Sequence, residues 1–144
     1  MRIRGFTLIE LLVALAIMAI ISAVAVPIYT EYSVRTQRTN AEKDLMLCAQ
    51  SMERLASAAF TYAGQVGPGA NTGAVTANIC TPTTTMYSII VTAANATAFT
   101  IRATPTSGSV MGNGVVEIDA TGAQRWDRNN DGNFGGTNET SWAH

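Results

Sequence analysis

Polarity changes sharply along this chain. From Leu11 to Val26 only Ser22 interrupts an apolar run, and residues 6–28 carry 19 hydrophobic residues in 23. A window apolar on every side predicts a helix lying in lipid or in a protein-lined interior, since a surface helix keeps one polar face. At about 1.5 Å rise per residue it would be roughly 34 Å long, enough for a bilayer core of roughly 30 Å. Beyond Pro27 the composition changes but the period persists. Ala41, Leu45, Cys48, Met52, Leu55, Ala59 and Tyr62 recur at intervals of four and three, an apolar stripe on one helix face. Glu42, Lys43, Asp44, Glu53 and Arg54 are assigned to the other face. Pro27 is expected to kink or loosen the helix without ending it. Gly64, followed by Gly67-Pro68-Gly69, is the stop signal. The pattern predicts one helix over residues 6–63, on the order of 87 Å long. Its first half must be buried by lipid or by other chains.

Residues 65–144 read as strands. Tyr87, Ile89, Val91 and Ala93 alternate with Ser88, Ile90 and Thr92, and Asn95-Ala96-Thr97 supplies a turn. Phe99, Ile101 and Ala103 alternate with Thr100, Arg102 and Thr104. Gly112-Asn113-Gly114 introduces a third strand, Val115 to Asp119, and Thr121-Gly122 turns into a short fourth ending near Trp126. Short sequential strands with no helix between them favour an antiparallel meander of about four strands. Its apolar face would pack on the stripe of residues 41–62. The expected fold class is α+β, with a long N-terminal helix and a sheet-bearing head. Trp142 is expected to close the last loop onto the head.

Composition sharpens this picture. The 144 residues carry a formal net charge of -1, 13% charged and 47% hydrophobic residues, and a mean hydropathy of +0.17. So low a charged fraction excludes charge-driven disorder and a basic nucleic-acid wrapper. The hydrophobic excess belongs to residues 6–28; residues 29–144 hold 47 hydrophobic residues in 116. The 14 threonines of residues 65–144 describe a polar, weakly charged surface.

The N-terminal signal is unusual. Met1-Arg2-Ile3-Arg4-Gly5 is short and carries two arginines that hold this end in the cytoplasm. Glu10 places a carboxylate inside the apolar run, where an unpaired charge is costly. Arg4-Gly5-Phe6-Thr7-Leu8-Ile9-Glu10, running into a membrane-length helix ahead of an α+β head, resembles the processing motif of type IV pilins and pseudopilins. The compact head is most similar to the minor-pilin group. The resemblance implies a leader at residues 1–5, cleavage between Gly5 and Phe6 by a prepilin peptidase, and N-methylation of Phe6. It further implies a filament-core helix over 6–28, an amphipathic continuation over 29–64 and a globular head over 65–144. Partners would be other pilin subunits, the peptidase, an inner-membrane assembly platform, and lipid before assembly. The chain would begin as a single-pass inner-membrane precursor and end in an extracellular filament of a Gram-negative-type bacterium. The family often places a glycine midway along the apolar run, where this chain has Ala19.

Cleavage would leave a positive amine on Phe6 about one helical turn from Glu10. In a low-dielectric filament core, that amine on a neighbouring subunit would make Glu10 an assembly register. The bland reading is a carboxylate that snorkels to the interface. In an oxidising compartment Cys48 and Cys80 would form a disulfide tying the helix to the loop before the first strand, with two separate buried thiols as the alternative. Asp127, Asn129 and Asp131, followed by Gly132, have the spacing of a calcium loop, but position twelve is Asn138, with Glu139 one place late. No other cofactor is expected. Enzyme chemistry has little support: the sole histidine is His144, and Ser and Asp lack a base. Arg102, Arg125 and Arg128 are the cations of residues 65–144 and Trp126 the aromatic suited to stacking, so direct DNA binding is not expected. The resulting expectation is a major or minor pilus subunit. The alternatives are a type II secretion pseudopilin, or a secreted binding module whose signal peptide is cut after Ala23-Val24-Ala25.

Overall fold

One α-helix, α1 (Leu8–Ala59), runs through the apolar window and the striped segment without a break. In the computed structural model residues 7–106 and 108–142 are described, the side chain of Ser109 excepted. The helix continues through Pro27, with the Thr30 hydroxyl donating to the Pro27 carbonyl at 2.8 Å. The chain divides into two units, the first ending at Ser33 and the second beginning at Val34. In the first unit every described residue from Thr7 to Tyr32 is exposed.

In the second unit the stripe is buried as its period requires. Ala41, Leu45, Cys48, Ala49 and Met52 form one core with the strands, and Leu55 is half-buried. The helix stops earlier than expected. Phe60 takes a left-handed φ of 58° and is 92% exposed, so Ala59 is exposed and Tyr62 lies in the following loop. Tyr62 still reaches the core, with its ring 5.0 Å edge-on from Phe99.

The sheet is an antiparallel meander in chain order: β1 (Gly73–Ala74), β2 (Tyr87–Ala94), β3 (Phe99–Pro105), β4 (Val116–Asp119) and β5 (Gln124–Trp126). It has five strands rather than about four. The added β1 has two residues and no alternation to betray it; it is recognised only through its pairing with Ile90 and Val91. A bulge between Val91 and Ala93 shifts the register of β2, so Ala94 points into the core and Ala93 is exposed, the reverse of the expected alternation. Phe99, Ile101 and Ala103 face inward as expected, joined by Val116 and Ile118. Trp142 is buried, its indole donating to the Arg125 carbonyl at 3.0 Å.

Two carboxylates assigned to the polar helix face are buried. Asp44 accepts from the Thr83 and Thr84 amides at 2.8 and 2.9 Å, and from the Thr83 hydroxyl, pinning the segment before β2 to the helix. Cys48 and Cys80 form a disulfide beside it, with Cα atoms 5.0 Å apart. Glu42 lies 3.5 Å from Arg38, whose guanidinium stacks on Trp126 at 3.7 Å and donates to Asn113 Oδ1 at 3.2 Å. Asn113 in turn donates to the Tyr87 hydroxyl at 3.0 Å and accepts the Trp126 indole N–H on its carbonyl at 2.8 Å. Burial pushes the Glu42 carboxyl up to about 7, with Arg38 pulling it partly back. Burial also lowers Arg38 and raises Tyr87.

Two outcomes follow. A group whose folded pKa is raised contributes stability below its unfolded value and loses it as pH rises through the folded value. The head is therefore expected to lose at most about 3 kcal/mol from Glu42 as pH rises from about 4.5 to above 7. Chemical denaturation across that range measures it, and Glu42→Gln should flatten the slope. Gly114 has φ +78°, and a Cβ there would overlap the Asp127 carbonyl oxygen, whereas Gly122, also at +78°, has open space around it. Gly114→Ala should cost about 3 kcal/mol or more and Gly122→Ala about 1 kcal/mol. Melting temperatures of the two variants would show the difference.

Candidate functional site

At the start of α1, Thr7 and Glu10 cap the helix reciprocally. The Thr7 amide and hydroxyl both donate to Glu10 Oε2 at 2.8 Å, and the Glu10 amide donates to Thr7 Oγ1 at 3.4 Å. This is the Thr-x-x-Glu capping box, which satisfies N–H groups that a helix start leaves without intrahelical partners. The motif was readable from the sequence, where Glu10 stood out only as a misplaced charge. Its carboxylate is exposed in a surround of Ile9, Val13, Ala14 and Ile17, which line a shallow apolar groove of about 360 Å³ with it. Gly5 and Phe6, the expected cleavage and methylation positions, lie outside the described residues, as does His144.

The Asp127–Asp131 loop is occupied by its own backbone. Asp127 is buried, with Oδ1 accepting from the Asp131 amide at 3.0 Å and Oδ2 from the Gly132 amide at 2.9 Å. Asn129 Oδ1 also accepts from the Asp131 amide, and its side-chain amide donates to Asp131 Oδ2, both at 3.0 Å. Glu139, the displaced closing residue, is buried and accepts from the Gly136 amide at 2.6 Å and the Asn129 amide at 3.4 Å. Oxygens that a cation would need thus receive N–H groups. Among the described residues no group of three or more His, Cys, Asp or Glu side chains is arranged to hold a metal.

The cations expected to lie on the head surface are engaged with carboxylates or an indole. Arg102 pairs with Glu117 at 2.7 Å, and Arg125 bridges Glu117 at 3.0 Å and Asp119 at 2.7 Å. Arg125 is raised chiefly by its bond to Asp119, while Asp119 is lowered by hydrogen bonds from Thr121 and Arg125 that outweigh its partial burial. Arg128 is exposed and stacks on Trp126 at 4.7 Å. Trp126, the aromatic suited to stacking, is itself buried beneath Arg38. The Arg38–Glu42–Asn113–Trp126 grouping went unread, because its members are scattered over 89 positions and each looks ordinary alone.

With this geometry in place, the chain can be set beside known proteins. Residues 1–26 match the model of the prokaryotic N-terminal methylation motif. Residues 27–113 match the model described as type IV minor pilin ComP, DNA uptake sequence receptor. A fimbrial protein of Neisseria meningitidis serogroup B is 38% identical over 71 residues, covering 49% of this chain and 39% of that one. A fimbrial protein of Pseudomonas aeruginosa is 48% identical over 42 residues, 29% of this chain and 27% of that one. The type IV major pilin protein PilE1 of Neisseria gonorrhoeae is 50% identical over 38 residues, 26% and 23% of the two chains. The chain thus spans roughly a quarter to two-fifths of the length of these curated relatives. No solved structure matches it significantly. A methylation motif, an apolar helix and a meander head covered over more than half the chain by one family model agree: the chain belongs to the type IV minor pilin ComP family.

Proposed function

We propose that the chain is a subunit of a type IV pilus, cut between Gly5 and Phe6 by a prepilin peptidase, methylated on Phe6, and drawn by an inner-membrane assembly platform into an extracellular filament. The observation that carries this is the exposure of every described residue from Thr7 to Tyr32, among them Leu8, Ile17 and Ile28. Each such side chain gains about 1.5–3 kcal/mol when removed from water, so the segment needs lipid first and neighbouring helices afterwards. Glu10 supplies what a purely apolar seam lacks, a fixed longitudinal position. In the precursor its carboxylate closes the helix start through Thr7; in the filament it meets the Phe6 amine of an adjacent subunit. The fimbrial and major-pilin relatives favour a pilus over a secretion pseudopilus.

A second reading is favoured by the family match over residues 27–113: the head receives DNA for uptake. The exposed cations Arg35, Lys43, Arg54 and Arg128 are then its phosphate contacts.

Mass spectrometry of sheared filaments should find a mature chain starting at methylated Phe6. Glu10→Ala should accumulate in the membrane at wild-type level while falling at least tenfold in the sheared fraction; equal incorporation overturns the role of Glu10. Deleting the gene from a transformable host should abolish DNA uptake while filaments remain. Unchanged transformation frequency removes the DNA reading and leaves the pilus reading standing.

A further inference from the structure

Phe60 is strained and covers nothing. It is 92% exposed, the most of any large apolar side chain among the described residues, and its φ of 58° makes a bulky residue an outlier. Its amide donates to the Ala56 carbonyl at 2.7 Å, the single bond that closes a helix on a left-handed residue, a position glycine usually fills. Packing does not offset the strain, because the ring stands in water. Strain that the fold does not use for itself points to a residue held for contact with something else.

A cavity of about 280 Å³ opens beside this ring. Glu53, Ala56, Ser57 and Phe60 line it from one face at the end of α1, spaced by three, one and three residues. Two small residues thus separate a carboxylate from an aromatic ring. Thr61 and Tyr62 from the following loop and Ala96 from the turn between β2 and β3 complete the lining.

The polar groups here are both donors and acceptors. Glu53 Oε2 accepts from the Tyr62 hydroxyl at 2.9 Å, which leaves Oε1 as an open acceptor and the phenol oxygen with a lone pair. Thr61 Oγ1 accepts from the Ala63 amide at 3.1 Å, so its O–H remains to donate. An organic cation would use the acceptors alone. A phosphate would be opposed by Glu53, the one charged residue in the lining. Hydroxyl groups, which donate and accept at once, match the whole set. A pyranose ring carries such groups around its edge and presents a C–H face that lies flat on an exposed aromatic ring.

We propose that the cavity between Glu53 and Phe60 binds one neutral saccharide ring, stacked on Phe60 and hydrogen-bonded by Glu53, Thr61 and Tyr62. The site is built entirely from residues 53–96 and does not depend on how the apolar segment of α1 is buried.

The test mixes the full chain in phosphatidylcholine nanodiscs with methyl β-D-galactoside, methyl β-D-glucoside or methyl α-D-mannoside and reads saturation transfer to the sugar by NMR. At least one should bind with a Kd of about 1 mM, as a ligand of that size on an open site allows. Its affinity should be equal at low salt and in 0.5 M NaCl, because the ligand carries no charge. Glu53→Gln should weaken binding at least fivefold and Phe60→Gly at least tenfold, whereas Phe60→Tyr, which keeps a ring, should stay within about twofold of the parent. Phe60→Gly should still melt at or above the parent temperature, since glycine adopts a positive φ freely, and this separates lost stacking from a folding defect. Transfer to none of the three sugars overturns the proposal. So does a Phe60→Gly variant that binds as the parent does, or that melts below it. Tighter binding of choline or of a single-stranded oligonucleotide, lost in Phe60→Gly, also overturns it and gives the site to an organic cation or to nucleic acid.

Discussion

Water excludes the first half of α1, and the molecule is organised around that exclusion. Between Leu8 and Ile28 the leucines, isoleucines and valines are all exposed. In the pilus subunit proposed above, that demand would be met by lipid first and by copies of the helix afterwards. Because the interaction is non-directional, it fixes depth and proximity but not register. In the proposed filament Glu10, the one carboxylate between Leu8 and Ile28, would be the group that specifies register; in this structure it caps the helix start through Thr7.

The second half of the same helix solves the opposite problem, since it must present one face to a five-stranded sheet and hold it there. Apolar packing of Leu45, Cys48 and Met52 supplies the attraction. Position is fixed by polar and covalent contacts at its two sides. On one, Asp44 and the Cys48–Cys80 disulfide grip the segment leading into β2. On the other, Arg38 stacks on Trp126 and reaches Asn113, joining the helix to β5 and to the loop before β4. Burial lifts the Glu42 carboxyl beside Arg38 to about 7, so this second set of contacts, unlike the disulfide, includes a group that responds to pH.

Legibility in the sequence followed period and locality. The stripe from Ala41 to Met52 was readable because an apolar interval of three and four has one structural meaning, and the alternation in β3 was readable for the same reason. The burial of Glu42 and Asp44 was not, because their partners are Arg38 with Trp126 in one case and Thr83 with Thr84 in the other, and no local pattern announces them. The bulge in β2 and the two-residue β1 likewise exist through pairing alone. At the candidate sites, Cys48 and Cys80 were found by their compartment. Glu10 stands out in the sequence by its misplacement, and its cap on Thr7 by the Thr-x-x-Glu spacing. The calcium spacing at Asp127 described a turn whose carboxylates hold backbone amides, a use that shares the same residue types.

The meander has a consequence for how the head comes into being. Each strand pairs with the one immediately before it, so most contacts in the sheet are between near neighbours in sequence, a condition for rapid folding. Synthesis from the N-terminus makes the elements in that same order. Cys48, Asp44 and their partners Cys80, Thr83 and Thr84 all precede Tyr87, the first residue of β2. The helix and its adjoining loop can be clasped before the longer strands are complete, and each later strand then finds an edge already waiting.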